Sequence, residues 1–474
     1  MKAETPTLVW FRRDLRLADN AALAVAHARG AAVIPVFVWA PEEDGPWPAG
    51  GASRWWLHHS LGRLDGELRG AGVPLIIRRG SAGDELPRLA HQTGATHLFW
   101  NRLYEPAAIE AEGRVEAAAR AAGLQTSSFE GGLLFAPAAI RTAEGRPFQV
   151  FTPFWRACSA LGPPPPPVAA PRRLRGPQTW PSSLPLDALD LLPRIDWAAE
   201  IRAVWTPGEA AARARSREFA RQGVDEYARD RDWPARSGVS RLSPHLHFGE
   251  ISPRQAWHDA GSRAVDPGAA EAFQRELGWR EFAHHLLFHF PRTPAEPLRA
   301  RFGSFAWADS PGDLRAWQRG QTGYPVVDAG MRQLWQTGWM HNRVRMIVAS
   351  FLVKDLLLPW QQGAAWFWDT LVDADLANNT LNWQWSAGCG ADAAPFFRIF
   401  NPALQGKKFD PDGDFVRQFV PELRGLPARF IHEPWRAPRA ELTRAGVELG
   451  GSYPEPIVDH AWARRRALDA FARI

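Results

Sequence analysis

The chain has little cysteine, no long uncharged apolar run and no excess of charge of either sign. Its 474 residues include two cysteines, Cys158 and Cys389. Two thiols exclude a disulfide framework, fit a reducing cytosol and are too few for a cysteine-based zinc site. No apolar run reaches bilayer-spanning length, so no membrane partner is expected. The start, Met1 to Pro6, is polar and leads straight into a strand-like run. No signal peptide is therefore expected, and the expected location is cytoplasmic. The 56 basic and 51 acidic side chains leave a net charge of +5. That total neither demands nor excludes nucleic acid, because a local patch decides. No G-x-G-x-x-G follows the first apolar run, which disfavours an ordinary NAD site. No repeat at solenoid spacing is present.

Strand-like and helix-like segments alternate over the first 130 residues or so. Leu8–Phe11, Ala32–Val38, Leu75–Arg78, His97–Trp100 and Thr126–Phe129 read as strands. Ala21–Arg29, Ala52–Leu68 and residues 107–122 read as helices. Apolar strands separated by helices predict a doubly wound parallel sheet, which binds ligands beyond the carboxyl ends of its strands. Gly162 is followed by five prolines, Pro163 to Pro167. The stretch from about 140 to 200 reads as an extended linker that forms neither helix nor central strand. From Thr206 onward the pattern is helical. The expected organisation is an α/β domain over 1–133, a linker over 134–204 and an all-helical domain over 205–474.

The segment from Gly338 to Trp385 concentrates chemistry. Gly338-Trp339-Met340-His341-Asn342-Arg343-Val344-Arg345-Met346 is followed by Asp373-Ala374-Asp375-Leu376-Ala377-Asn378-Asn379 and Trp383-Gln384-Trp385. Buried amides and charges are costly unless satisfied. A large polar, stacking ligand inside a helical domain would satisfy many at once. Trp383 and Trp385 are i,i+2 and point to nearly opposite sides of a helix. Asn342 and Met346 are i,i+4 and share a face, as do Glu276 and Trp279 at i,i+3. Val239-Ser240-Arg241-Leu242-Ser243-Pro244 can cap a helix or cradle phosphate. His245 and His247 lack further ligands nearby, so no metal is expected. The 24 tryptophans are otherwise read as core packing.

The Gly338–Trp385 motifs, the Val239–Pro244 run and the opening Val9-Trp10-Phe11-Arg12-Arg13-Asp14-Leu15-Arg16-Leu17 resemble the photolyase/cryptochrome family over nearly the whole chain. The resemblance is greatest to bacterial cyclobutane pyrimidine dimer (CPD) photolyases. It implies FAD in the helical domain, held by Tyr227, Val239, Ser240, Arg241, Leu242, Ser243, Arg345, Asp373, Ala374, Asp375 and Asn379. Val239 stands where the family usually has Thr. Asn379 would face flavin N5, where plant cryptochromes carry Asp. Trp307, Trp360 and Trp383 match the family's electron-transfer chain. Glu276, Trp279, Arg280, Asn342, Met346 and Trp385 match its lesion-binding residues, and Arg231 and Arg343 would grip DNA phosphates. Members acting on (6-4) photoproducts carry histidines in place of Asn342 and Met346. Leu381-Asn382 replace two glycines found before Trp-Gln-Trp in many members.

The implied activity is that of a deoxyribodipyrimidine photo-lyase. Photoexcited FADH⁻ donates an electron to a dimer flipped out of double- or single-stranded UV-damaged DNA, and the protein acts as a monomer. The alternative is a cryptochrome-like blue-light receptor. An antenna pigment is expected on the sheet domain, near Asn101-Arg102-Leu103-Tyr104-Glu105. Methenyltetrahydrofolate is the first choice and a deazaflavin or second flavin the alternatives. Ala107-Ala108 replace the Asn-Glu pair of one known folate site.

Overall fold

A computed structural model describes residues 5–264 and 267–474. Met1–Glu4, part of the start read as leaderless, lie outside them. The chain divides into two compact units. One comprises 1–225 with 240–291, the other 226–239 with 292–474.

The first unit is built on five parallel strands: β1 (Thr7–Phe11), β2 (Val33–Trp39), β3 (Ile76–Arg79), β4 (His97–Asn101) and β5 (Gln125–Phe129). Their order is β3-β2-β1-β4-β5. Helices α1 (Ala21–Ala28), α2 (Gly51–Gly70), α3 (Ala82–Thr93) and α4 (Pro106–Ala121) make the crossovers. Strand β1 is buried at every position and β2 likewise, as a sheet covered on both faces requires. The chain order reverses between β1 and β4, which is where such sheets open a crevice.

Of the charges after β1, Asp14 and Arg16 are buried and Arg12 and Arg13 half-buried. Arg16 is fully buried and donates to the carbonyls of Asp19, Gly131 and Gly249 at 2.8–2.9 Å. Arg12 pairs with Glu112 at 2.7 Å, and Arg13 makes a two-pronged pair with Glu105. These ties close the loop over the ends of β1 and β4.

The stretch read as a continuous extended linker contains a helix, α5 (Phe151–Ser159). Pro153 does not break it, because the third helical position has no intrahelical N–H bond to lose. Phe151, Phe154, Trp155 and Cys158 are buried along one face. The proline run beyond α5 is extended, as expected. It lies along the same unit, with the Pro164 carbonyl 2.8 Å from His258 Nε2.

Helix α5 packs on α8 (Pro267–His289), which follows α6 (Tyr227–Asp230) and α7 (Ser243–His247). A methyl at Gly278 would strike the Trp155 ring, so glycine sets that approach. The buried Glu281 on α8 accepts from Leu134 N at 2.8 Å and Phe135 N at 3.1 Å. It fastens the segment after β5 to the helix.

The second unit is helical. Its site-bearing helices are α9 (Asn342–Ser350), α10 (Trp360–Thr370), α11 (Leu376–Ala387), α12 (Pro402–Phe409) and α13 (His460–Phe471). A π-helical turn, Phe351–Asp355, joins α9 to the approach of α10. Among the described residues no helix is long and apolar enough to cross a membrane.

Burial pushes the Glu281 carboxyl up to about 7. A raised carboxyl makes its stabilising contribution below the unfolded value and loses it as pH rises through the folded one. Stability should therefore fall between about pH 5 and 8, by of order 3 kcal/mol for this group. Glu281→Gln keeps a carbonyl acceptor for both N–H groups and should flatten that slope. Thermal unfolding midpoints of both proteins across this range check it.

Candidate functional site

The expected site residues fall in both units. Ser240–Ser243, Glu276, Trp279 and Arg280 belong to the first; Tyr227, Arg231, Val239 and those from Trp307 onward belong to the second.

In the first unit, the run before α7 has an unusual backbone. Arg241 adopts φ 53°, and Leu242 follows at φ −87°, ψ −5°. A left-handed residue followed by a right-handed one turns successive N–H groups toward one point, a concavity suited to anions. The left-handed region costs a non-glycine residue about 1 kcal/mol or more. Such strain is characteristic of ligand clamps. Leu242 N donates to Ser240 Oγ at 3.4 Å. His245 is committed to the Glu250 carboxylate, which also accepts from Trp56 Nε1 and Gly208 N.

On α8, Trp279 stacks on Phe151 with ring centroids 3.8 Å apart, and Arg275 covers Phe151 at 4.8 Å. Helix α5 thus backs the half-buried Trp279. Glu276 is half-buried one turn earlier. Arg280, expected among the substrate-binding residues, is held within its own unit. It donates to the Gly132 carbonyl at 2.9 Å and sits 3.5 Å from Glu281, with only 14% of its side chain exposed. In this geometry it ties the post-sheet segment.

The second unit carries a polar belt inside apolar packing. Both oxygens of Asp373 lie at 2.8–3.0 Å from Arg345 Nη2, and Arg345 Nε donates to the Met340 carbonyl at 2.8 Å. Asp375 caps α11, accepting from Asn378 N at 2.9 Å and Asn378 Nδ2 at 2.7 Å. Ala374 between them is buried. Asn379 is buried and donates through Nδ2 to the Ala364 carbonyl at 3.0 Å. That bond fixes which end of the amide is oxygen, leaving Oδ1 and a second N–H for another partner. Tyr227 is buried with Arg231 stacked 5.2 Å over its ring. Val239 is half-buried.

Trp383 is buried on α11 and Trp385 is half-exposed, as i,i+2 spacing requires. Asn342 is exposed at the start of α9, and Met346 and Arg343 are half-buried. Trp360 is buried and Trp307 half-exposed. The Ala308 N–H bonds the Leu357 carbonyl at 2.8 Å, joining the Trp307 segment to the turn before Trp360. Leu357 holds φ 60°, a second strained non-glycine position. Nearby, buried Lys354 donates to the Phe396 carbonyl and is lowered to about 8 by burial. Asp355 pairs with His460 at 2.5 Å and is raised to about 6 by burial.

Two features escaped the sequence reading. Buried Trp317 packs edge-on to Trp383 at 6.2 Å and donates to the Val348 carbonyl. Phe397 and Leu404 are 64% and 60% exposed, beside exposed Arg398 and Lys408. A Phe-Arg dipeptide ahead of a helix ending in Lys-Lys was the available signal.

The comparisons agree with this architecture. Residues 7–172 match the family described as DNA photolyase, and 273–473 the FAD binding domain of DNA photolyase. The chain is 50% identical over 472 residues to the deoxyribodipyrimidine photo-lyase of Agrobacterium fabrum, covering 99% of this chain and 98% of that protein. It is 39% identical to cryptochrome-2 of Arabidopsis thaliana, covering 100% of this chain and 80% of that one. The crystal structure of a bacterial class III photolyase from Agrobacterium tumefaciens superposes with a TM-score of 0.96 at 50% identity, over 99% of this chain and 97% of the other. The chain belongs to the DNA photolyase/cryptochrome family.

Asn379→Asp tests the amide's orientation. A carboxylate there would set two oxygens against each other at the Ala364 carbonyl. Burial and that carbonyl should therefore keep the new carboxyl protonated. A carboxylic-acid infrared band at neutral pH in the variant, additional to those of wild type, is the expected result. No such band would mean Ala364 does not accept from this side chain.

Proposed function

We propose that this protein is a cytoplasmic, monomeric deoxyribodipyrimidine photo-lyase that splits cyclobutane pyrimidine dimers in UV-damaged DNA under blue light. The observation that carries the reading is the polar belt of Arg345, Asp373, Asp375 and Asn379 within an apolar helical unit. FAD, when bound in its reduced form, supplies the light absorption and the transferable electron.

The chain's own residues then bind, orient and exclude water. Backbone N–H groups of the Ser240–Ser243 turn fit the pyrophosphate, with Tyr227 and Val239 before them. Arg345 and Asp373 fit the polar edge of the isoalloxazine ring. Asn379 offers Oδ1 and one N–H near N5, and an amide supplies no proton at that atom. Trp279 and Trp385 give the flipped dimer aromatic walls, with Trp279 stiffened from behind by Phe151. Glu276 and Asn342 supply hydrogen bonds to pyrimidine edges, and Met346 supplies packing. Arg231 and Arg343 meet phosphates, and the contact through Arg231 makes binding salt-dependent. Phe397, exposed next to Arg398, fits a wedge against the bases left unpaired by flipping. An antenna pigment on the sheet unit completes the assignment, with methenyltetrahydrofolate proposed ahead of a deazaflavin or flavin.

The first experiment is an absorption spectrum of purified protein, then repair of a defined thymine dimer with and without blue light. Light-dependent repair of the dimer and none of a (6-4) photoproduct is expected, because Asn342 and Met346 stand where that chemistry needs histidines. Repair of the (6-4) substrate would overturn the assignment. Normal light-driven flavin reduction without repair of either lesion would favour the cryptochrome-like reading.

Trp307, Trp360 and Trp383 are proposed to relay electrons inward from solvent without touching the lesion. Trp307→Phe should abolish light-driven reduction of the bound flavin, with flavin content unchanged. Dithionite-reduced variant should still repair dimers. Trp385→Ala should do the reverse, losing roughly 1–3 kcal/mol of base stacking. Normal photoreduction in Trp307→Phe would return that residue to a packing role.

A further inference from the structure

Arg343 already has an anion. Its Nη2 lies 2.8 Å from Oδ1 of Asp232. The guanidinium is seated 4.5 Å over the Phe409 ring, and its Nη1 lies 3.8 Å from the Met346 sulfur. The two paired side chains are 20% and 36% exposed, so the pair sits where an outside anion can reach it. Asp230, two residues earlier, is neutralised within its own segment by Arg229 and Arg236. Asp232 instead reaches across to α9. Phe409 and Met346 hold the arginine head in position whichever anion it faces.

We propose that Asp232 is an internal stand-in for a DNA phosphate, competing with the backbone for Arg343 and so setting how tightly all DNA is held. The inference rests on the photolyase reading, in which Arg343 meets a phosphate. A carboxylate and a phosphate offer a guanidinium the same geometry of paired anionic oxygens. Docking of DNA therefore exchanges one ion pair for another. The exchange returns less free energy than a phosphate would give an unpartnered arginine, and it leaves the Asp232 carboxylate near the DNA backbone. Intact DNA binds through phosphate contacts, so it is held weakly. A dimer adds stacking and hydrogen bonding that intact DNA lacks. Repaired DNA loses those additions and meets the competing carboxylate again, which eases its release.

The exchange has a signature that packing lacks. A lysine or arginine that neutralises a phosphate releases condensed counterions, steepening the salt dependence by about 0.9 per contact. Exchange of Asp232 for phosphate releases almost none, because the freed carboxylate takes up a cation. The test is equilibrium binding of flavin-loaded protein to one duplex, with and without a thymine dimer, across a salt series. Asp232→Asn should tighten binding to both duplexes by about two- to fivefold at low salt, the range of an exposed ion pair. It should also steepen the salt slope by about 0.9. Asp232→Glu should restore wild-type behaviour.

Arg343→Gln separates the two layers of the argument. In the Asp232→Asn background it should weaken binding and remove the extra slope. If Asp232→Asn tightens binding equally when Arg343→Gln is present, Asp232 repels DNA directly and the proposal fails. If Asp232→Asn weakens binding while lowering the melting temperature or flavin content, the pair is a structural tie and the proposal fails. If Arg343→Gln leaves affinity unchanged in both backgrounds, the assignment of Arg343 to a phosphate is what falls.

Discussion

The Arg345–Asp373 pair is the constraint from which the geometry of the second unit follows. Asp373 is 8% exposed, and an isolated carboxylate at such depth would cost several kcal/mol. Arg345 meets the carboxylate through one nitrogen and the Met340 carbonyl through another. The Val372 N–H bonds the Gly338 carbonyl beside them at 2.8 Å. Three segments are thereby pinned: the turn before α9, α9 itself and the loop that starts α11. Once that loop is fixed, the Asp375 cap sets the phase of α11. The phase directs Asn379 and Trp383 inward and leaves Trp385 half-exposed. Removing one partner of such a pair leaves a buried charge, so the pair constrains the fold more than it stabilises it.

The tryptophan positions rest on a second device, made of strain and close approach. A π-turn adds a residue at Phe351–Asp355, and Leu357 then takes a left-handed backbone to re-enter α10. Both are costly, and both are held by bonds outside the turn. Asp355 is tied to His460, Lys354 to Phe396 and the Leu357 carbonyl to Ala308. At the other end, a methyl on Gly363 would collide with the Trp383 ring. Helices α10 and α11 therefore approach closely enough for that indole to lie flush against α10. Charge transfer between rings depends steeply on separation, so the proposed tryptophan wire would depend on such a rigid mount.

What the sequence made legible is what depends on local pattern. Strands β1 and β2 were readable because burial on both faces makes them continuously apolar, whereas the polar, half-exposed β5 was readable only from its place after a helix. The Trp383–Trp385 split followed from helical geometry alone. The Gly338–Trp385 segment stood out because amides and charges are rare in apolar helices. What stayed hidden depends on partners far along the chain. Helix α5 was masked by Pro153 and the prolines beyond it, although proline at a third helical position is harmless. Arg280 matched the family's lesion-binding residues, and only the fold shows its bond to the Gly132 carbonyl. The Asp232–Arg343 pair joins two segments that show no mutual pattern in sequence. The burial of Arg16 and its neighbours likewise depends on loops that meet only in three dimensions.

The same consideration explains why a net charge of +5 is informative only once the pairs are known. Arg229 and Arg236 face Asp230, Arg343 faces Asp232, and Lys407 faces Glu433. Basic side chains with acids already beside them attract a phosphate backbone less than their number suggests. A protein that must sample long stretches of intact DNA gains from such restraint, because strong phosphate contacts hold it equally at every site. Discrimination then has to come from groups that act only after a lesion leaves the stack. The residues assigned to that task are an acid, an amide, a thioether and two indoles, of which only Glu276 carries a formal charge and none is basic. Keeping basic side chains paired on the surface, and leaving damage recognition to groups that are not basic, would let affinity for damage rise without raising affinity for everything else.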